Sequence, residues 1–517
     1  MSRRLILLGC TLFLASGVFA AHRDVITVEV VQVPVYVSVG GHAVTGLTKS
    51  DFELYVNGKR QAVDYFDTID FAGMPASATS DPRQRRLYLL TFDLLFSTPN
   101  ALVRARAAAE KYLDRALPGD VFAVATYTSN HGLNFIIPFT RDRELVHGAL
   151  RSLSGTGAGD PLALTFSASA ADAQVVDQDL ERREGIAAQT AVMAAMMHEA
   201  ARGAAMQPFH NLVEDEISSF TELADRMAVL EGQKHVVLLS GGFDASLVHG
   251  VHVARPAFLG AAPVRGASNF SGASQSDPRL LRYLKDMYAR FTAASVFLDA
   301  IEIQGVRPGQ TAVDNEALFT LTRDTGGTVV EHENNLTSAI QQLSDQQRVV
   351  CVLGFRPTAG GRTNGIRVKV RNAPSGAEVT YRPSYSNEIP LPAANDGLRL
   401  ADILLNDIPQ TGLSLRASAT ATGQHAVVDV DIATRELLAL SESKNVEAEA
   451  LMYIYSGNSV VAFQQKRIMF EAARVDPSKP VRLTREFDLP NGHYAAKVLV
   501  RFEDQLGFVR SDFTIGQ

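Results

Sequence analysis

From Arg85 onward the chain alternates short apolar runs with stretches of helical spacing, and this alternation limits the fold more than any other feature. The run 87–92 is almost continuously apolar, as expected of a strand covered on both faces, and 99–117 carries helical periodicity in an Ala- and Arg-rich stretch. Strands are expected again at 121–127, 133–139, 235–239, 295–301, 328–330 and 349–355. Helices are expected at 143–153, 279–292, 315–325 and 336–347. Such a pattern predicts a mostly parallel sheet sandwiched by helices, with binding loops at the carboxyl ends of its strands. The stretch 154–233 is longer than a crossover needs and reads as a helical insertion, with helices at 170–206 and 211–230. The first of these carries Met193, Met196, Met197 and Met206, a pattern of core packing or of a plastic partner-binding face. A second insertion, 245–277, is rich in Gly, Ser, Ala and Pro and reads as a loop.

Different periodicities flank this α/β unit. Residues 25–39 alternate in the period-2 pattern of a half-buried strand, and short strands follow at 52–56 and 62–66 around the turn signal Asn57-Gly58-Lys59. These form a small β unit spanning 22–70, followed by a linker at 71–84. Beyond Pro357, the runs 366–370 and 378–381 read as a hairpin completing the central unit, which is bounded at 85–385. The remainder, 386–517, shows alternating runs at 426–432, 447–455, 481–487, 493–502 and 509–515 and no convincing long helix. It reads as an immunoglobulin-like β-sandwich.

Residues 1–21 have the form of an export signal: Arg3 and Arg4, an apolar stretch at 5–18, and small residues that place cleavage after Ala20 or Ala21. Two other readings of the leader stand beside it, a lipobox at Cys10 and a twin-Arg start, each matching only in part. An uncleaved anchor is disfavoured, because the apolar stretch is shorter than the roughly 20 residues a span needs. The product would be periplasmic or extracellular, with no membrane insertion after signal removal. The remaining Cys351, in an apolar run, reads as a buried core thiol. A net charge of −7, more negative once Arg3 and Arg4 leave, argues against nucleic acid as a partner.

Candidate site residues lie at predicted strand ends. Asp93-Leu94-Leu95-Phe96-Ser97 closes the first strand of the central unit, and Ser240-Gly241-Gly242-Phe243-Asp244 closes a later one. With the lead-in 44–54 ahead of Asn57-Gly58-Lys59, and the sequence Val352-Leu353-Gly354-Phe355-Arg356-Pro357, this layout resembles the secreted bacterial proteins that carry a VWFA-related (acidobacterial-type, von Willebrand factor A-like) domain. The resemblance covers roughly 25–385. It implies a Rossmann-like VWA domain and a metal-ion-dependent adhesion site, in which hard oxygen ligands hold Mg²⁺ and leave a position for an acidic group of a protein or cell-surface partner. Carried over by position, Asp93 and Ser97 match ligands, whereas Leu95 stands where a Ser ligand belongs and Gly241 where an Asp belongs. Thr156 or Asp160 would serve in the middle loop, and Asp244 would substitute in the third. A degenerate site of this kind would bind metal weakly, through waters, or not at all. In the last case Asp93 or Ser97 would help to cap the helix near Pro99, and the protein would be a structural envelope scaffold.

Enzymatic readings find little support. The 12 His are scattered and there is no His-Glu-x-x-His, P-loop or nucleophile-elbow pattern. His235, His249 and His252 are more readily separate residues than a metal cluster, and Asp299 and Glu302 are read as rim residues of another strand end rather than an acid/base pair. No catalytic residue is assigned.

Overall fold

The computed structural model describes residues 30–74, 81–153, 186–243, 245–249, 276–305, 316–331, 333–357, 363–386, 396–441 and 445–516. It is a mixed α/β protein with several sheets. The proposed leader 1–21 lies outside the described residues.

A six-stranded sheet forms the centre. Across it the order is Val329–Val330, Val296–Glu302, Gln233–Ser240, Arg86–Asp93, Val121–Thr128 and Gly132–Thr140. All neighbours are parallel except the last pair, which is antiparallel. Every residue of Arg86–Asp93 is buried, because helices cover both faces. Leu87 and Leu89 face a core shared with the helices Ile186–Met227, Pro278–Ala294 and Glu316–Thr322. Tyr88, Leu90 and Phe92 face a second core, shared with Pro99–Leu113, Arg143–Ser152 and Leu336–Gln346. Each such Leu contributes about 1.5–3 kcal/mol by leaving water, so a continuous apolar run is what a central strand requires. Where two insertion helices are expected, one helix, Ile186–Met227, carries Pro208 within it. The four methionine side chains near its start lie outside the described residues.

Two further sheets correct the sequence reading. Val349–Phe355 does not join the parallel sheet; it lies antiparallel between Val31–Val39 and Tyr65–Asp70, with Glu378–Tyr381 on the far side of Val31–Val39. Likewise 366–370 and 378–381 do not form a hairpin with each other. Asn364–Val370 pairs with Phe52–Val56, and Lys59–Gln61 extends that sheet. The two sheets close on a common core of Val33, Val35, Leu54, Cys351, Leu353 and Val368. The first β unit is thus completed by residues that follow the α/β unit, which is inserted between them. The reason is visible in Val349–Phe355: Cys351 and Leu353 face the small sandwich, while Val350 and Val352 pack toward Phe297 of the central sheet. A strand apolar on both faces has the same sequence signature in either setting.

The carboxyl-terminal region holds two antiparallel sheets. One consists of Leu415–Thr422, His425–Ile432 and Val481–Asp488, the other of Ser459–Glu471, Asn445–Ser456, Gly492–Phe502 and Gln505–Ile515. Alternate residues such as Val428, Val430, Ala448 and Val498 interdigitate between them. A helix absent from the sequence reading, Asp396–Asn406, covers part of the second sheet's outer face through Ile403 and Leu404.

Candidate strand-end site

Asp93 and Ser240 end neighbouring parallel strands, in a register that pairs Phe92 with Leu239, so their side chains meet. Ser240 Oγ donates to Asp93 Oδ2 at 2.5 Å, and the Leu95 and Phe96 amides donate to Oδ1 at 2.9 and 3.0 Å. The Gly241 amide donates to Ser97 Oγ at 3.0 Å, and the Gly242 amide to Ser240 Oγ at 2.8 Å. Two strand-end loops are therefore stitched together by one carboxylate and two hydroxyls, all buried. Neither Asp93 nor Ser97 caps the following helix. That role falls to Thr98, whose side chain accepts from the Ala101 amide ahead of Pro99 at the first helical turn.

Leu95 adds only a backbone amide. Gly241 is small because it has to be: a Cβ there would lie 2.5 Å from the Phe96 carbonyl oxygen and collide with the Gln304 side chain. Thr156, Asp160 and Asp244, the other candidates, lie outside the described residues, so the structure brings together Asp93 and Ser97 of that set and adds Ser240.

Two more buried side chains couple electrostatically to Asp93. Glu216, on Ile186–Met227, is 1% exposed, and its Oε2 is buried without a hydrogen-bond partner. Burial raises its pKa well above the ordinary carboxylate range, and the nearby Asp93 charge adds to the effect. Asp93 is also raised, by burial, against the opposing pull of Ser240 and the two amides. Tyr127, beside Asp93 in the sheet, has a buried hydroxyl without a partner; burial raises its pKa, with Glu216, Asp93 and Asp215 contributing. Sequence reasoning missed Glu216, although a signal existed. It falls on the apolar stripe Val213, Ile217, Phe220, Ala224 and Met227, where a charge is out of place.

The remaining titratable candidates are separate. His235 is fully buried, hydrogen-bonded through Nε2 to the Tyr36 hydroxyl at 3.0 Å and through Nδ1 to Asp299 Oδ2 at 2.9 Å. Asp299 is no rim residue, since it also accepts from the Thr328 amide and Gln347. Glu302 is buried as well and accepts from the Gln304 and Gly305 amides. His249 bonds Thr320 Oγ1 at 2.8 Å, and His252 lies outside the described residues. Among the described residues no group of three or more His, Cys, Asp or Glu side chains is placed to hold a metal ion.

No protein-family model and no curated protein matches the chain. Among solved structures, it is similar to the conserved hypothetical protein BatB from Bacteroides thetaiotaomicron, at 11% identity and TM-score 0.24, over 51% of this chain and 98% of that one. It is also similar to three N-terminal domains of the type V pili tip protein Mfa5 from Porphyromonas gingivalis, at 10% identity and TM-score 0.27, over 88% of this chain and 99% of that one. At these scores neither protein's properties transfer to this chain. No described helix is long and apolar enough to cross a membrane.

Proposed function

We propose that this chain is an exported binding protein of the VWA type, which engages a protein or cell-surface partner through the loops at the carboxyl ends of its central strands. The observation that carries the reading is the buried, unpartnered Glu216 Oε2, which feels the charge of Asp93, itself bonded to Ser240 at the strand ends. A carboxylate in such a setting is costly unless a cation or a proton compensates it. The oxygens present are the hard donors that Mg²⁺ accepts. Where the metal is held, Asp93, Ser97, Ser240 and Glu216 would hold it, with Glu216 supplying a charge that Gly241 does not. The ion would offer a coordination position to an acidic group of the partner.

A second reading is favoured by the same orphan oxygen. If Glu216 holds a proton, the loops are closed by hydrogen bonds alone and the domain serves as a structural envelope scaffold. Calorimetric titration of the full chain with Mg²⁺ and Mn²⁺ separates the two. On the first reading binding heat is seen in the native protein and is lost in Asp93→Ala and Glu216→Gln. Absence of heat from the native protein sinks the metal-dependent mechanism and leaves the scaffold. The reading assigns no turnover, and sustained hydrolysis of ester, peptide or glycoside substrates by the purified chain would overturn it.

A further inference from the structure

The four-stranded sheet of the carboxyl-terminal sandwich has two very different edges. On one side, the start of Gln505–Ile515 is bridged by Thr411 and packed by Leu413 and Leu415, so closely that a Cβ at Gly507 would lie 2.7 Å from the Leu413 carbonyl oxygen. On the other, Ser459–Glu471 pairs with Asn445–Ser456 alone, and no described strand lies beyond it. Thirteen residues, about 43 Å of strand, thus present a row of backbone donors and acceptors to solvent.

This edge is also apolar. Of the ten large hydrophobic side chains exposed among the described residues, four lie on it: Val460, Val461, Phe463 and Met469. The last is 67% exposed. Pairing with Tyr453 and Glu447 puts Phe463 and Met469 on the outer face, and the Phe463 ring lies 4.6 Å from that of Tyr453. Of the charges on this strand, Arg467 pairs with Glu447 at 3.2 Å and Glu471 with Arg474, whereas Lys466 is exposed; the neutral Gln465 donates to Glu449.

The strand is complementary to itself. We propose that two copies of this chain join along Ser459–Glu471, antiparallel about a twofold axis through Gln465, into one continuous eight-stranded sheet. Antiparallel neighbours directly opposite each other share a face, so only registers that keep the outer residues together are in phase. Centring on Lys466 or Arg467 sets like charges opposite each other, and centring on Gln464 leaves Met469 facing the strand's end. Centring on Gln465 uses the whole strand, places the neutral Gln465 opposite itself, and sets Phe463 against Arg467 of the second copy, a cation–π pair. Met469 then meets the Val460 and Val461 pair of the second copy. The bulge between Tyr455 and Ile454, opposite Val461, lies at one end and leaves the middle of the strand regular. A twofold pairing closes on itself and so consumes the edge without building a fibre.

Sedimentation velocity on the full chain over about 1–100 µM tests this, together with cysteine cross-linking. The native chain is expected to dimerise. Phe463→Lys, which faces Arg467 with a like charge, weakens the dimer about tenfold or more, whereas Phe463→Glu, which faces it with an opposite charge, retains it. Under mild oxidation Gln465→Cys gives a covalent dimer. Arg467→Cys does not, its two copies being about 13 Å apart. The unsubstituted chain, whose only cysteines are Cys10 and the buried Cys351, is the control. A native chain that stays monomeric overturns the proposal, as does a dimer indifferent to Phe463→Lys or one cross-linked by Arg467→Cys in place of Gln465→Cys. Loss of the dimer in both Phe463 variants overturns the Gln465-centred register.

Discussion

Gly241 shows how a single residue decides what a strand-end loop can hold. The VWA resemblance places an Asp at this position, so Gly241→Asp looks like a repair. The packing argues the opposite. A Cβ would press on the Phe96 carbonyl and the Gln304 side chain, and the Gly241 amide, which donates to Ser97, would be pushed off its acceptor. An added carboxylate would also stand near Asp93, already shifted upward by burial. The expected outcome is a loss of about 1–3 kcal/mol with no gain in Mg²⁺ affinity, read from urea midpoints and from titration calorimetry. A stable Gly241→Asp protein that binds Mg²⁺ more tightly than the native chain would show that the loop relaxes to receive the side chain.

At the scale of elements, the small sandwich is fastened to the central sheet through a polar contact inside an apolar seam. Tyr36 of Val31–Val39 donates to or accepts from His235 of Gln233–Ser240, and the two rings pack with Phe297. Asp299 bonds the other side of the imidazole and itself accepts from Gln347. Tyr36→Phe keeps the ring packing and strands His235 Nε2 without a partner. It should cost about 1–3 kcal/mol, and His235→Phe on the Tyr36→Phe background, which removes that orphan but also takes the Nδ1 partner from the buried Asp299, should leave the double variant less stable than the single one. Equal destabilisation of single and double variants in denaturant titration would refute that account. This seam also marks where sequence reading stops. The expected strands 87–92, 121–127, 235–239 and 295–301 stand where periodicity puts them, because a strand covered by helices needs an apolar residue at every position. Which sheet Val349–Phe355 joins depends on its pairing with Val31–Val39, more than 300 residues earlier, and local pattern carries no information on so distant a partner. The strand-end site was half legible for the same reason. Asp93 and Ser97 follow a strand and form a recognisable loop, whereas Glu216 arrives from an insertion helix and Ser240 acquires its meaning only from the register with Asp93.

Across the whole molecule, one buried ion pair ties the carboxyl-terminal sandwich to the α/β unit. Arg85, at the entry to the central strand Arg86–Asp93, donates both terminal guanidinium nitrogens to Asp402 on the helix Asp396–Asn406; both side chains are almost fully buried. Asn406, one turn on, donates to Asp402 and to the Phe139 carbonyl, while its own oxygen accepts from the Arg141 amide. The same helix lays Ile403 and Leu404 on Leu451 and Leu499 of the four-stranded sheet, so it is shared by two cores. Its polar residues Asp402 and Asn406 are buried for docking, which blurs the amphipathic pattern that would have revealed the helix in the sequence. Removing one partner of such a pair leaves a buried, uncompensated charge. Asp402→Ala should therefore cost about 3–5 kcal/mol. Because the loss falls at a junction, it should also uncouple the two units: calorimetry is expected to resolve an early transition for the carboxyl-terminal sandwich, with the α/β unit melting near its native temperature. The replacement Asp402→Asn, which keeps an acceptor for Arg85 and the contact with Asn406, should give a smaller shift. A single transition displaced as a whole in Asp402→Ala would mean that the two units fold as one and that the ion pair is only one contact among many.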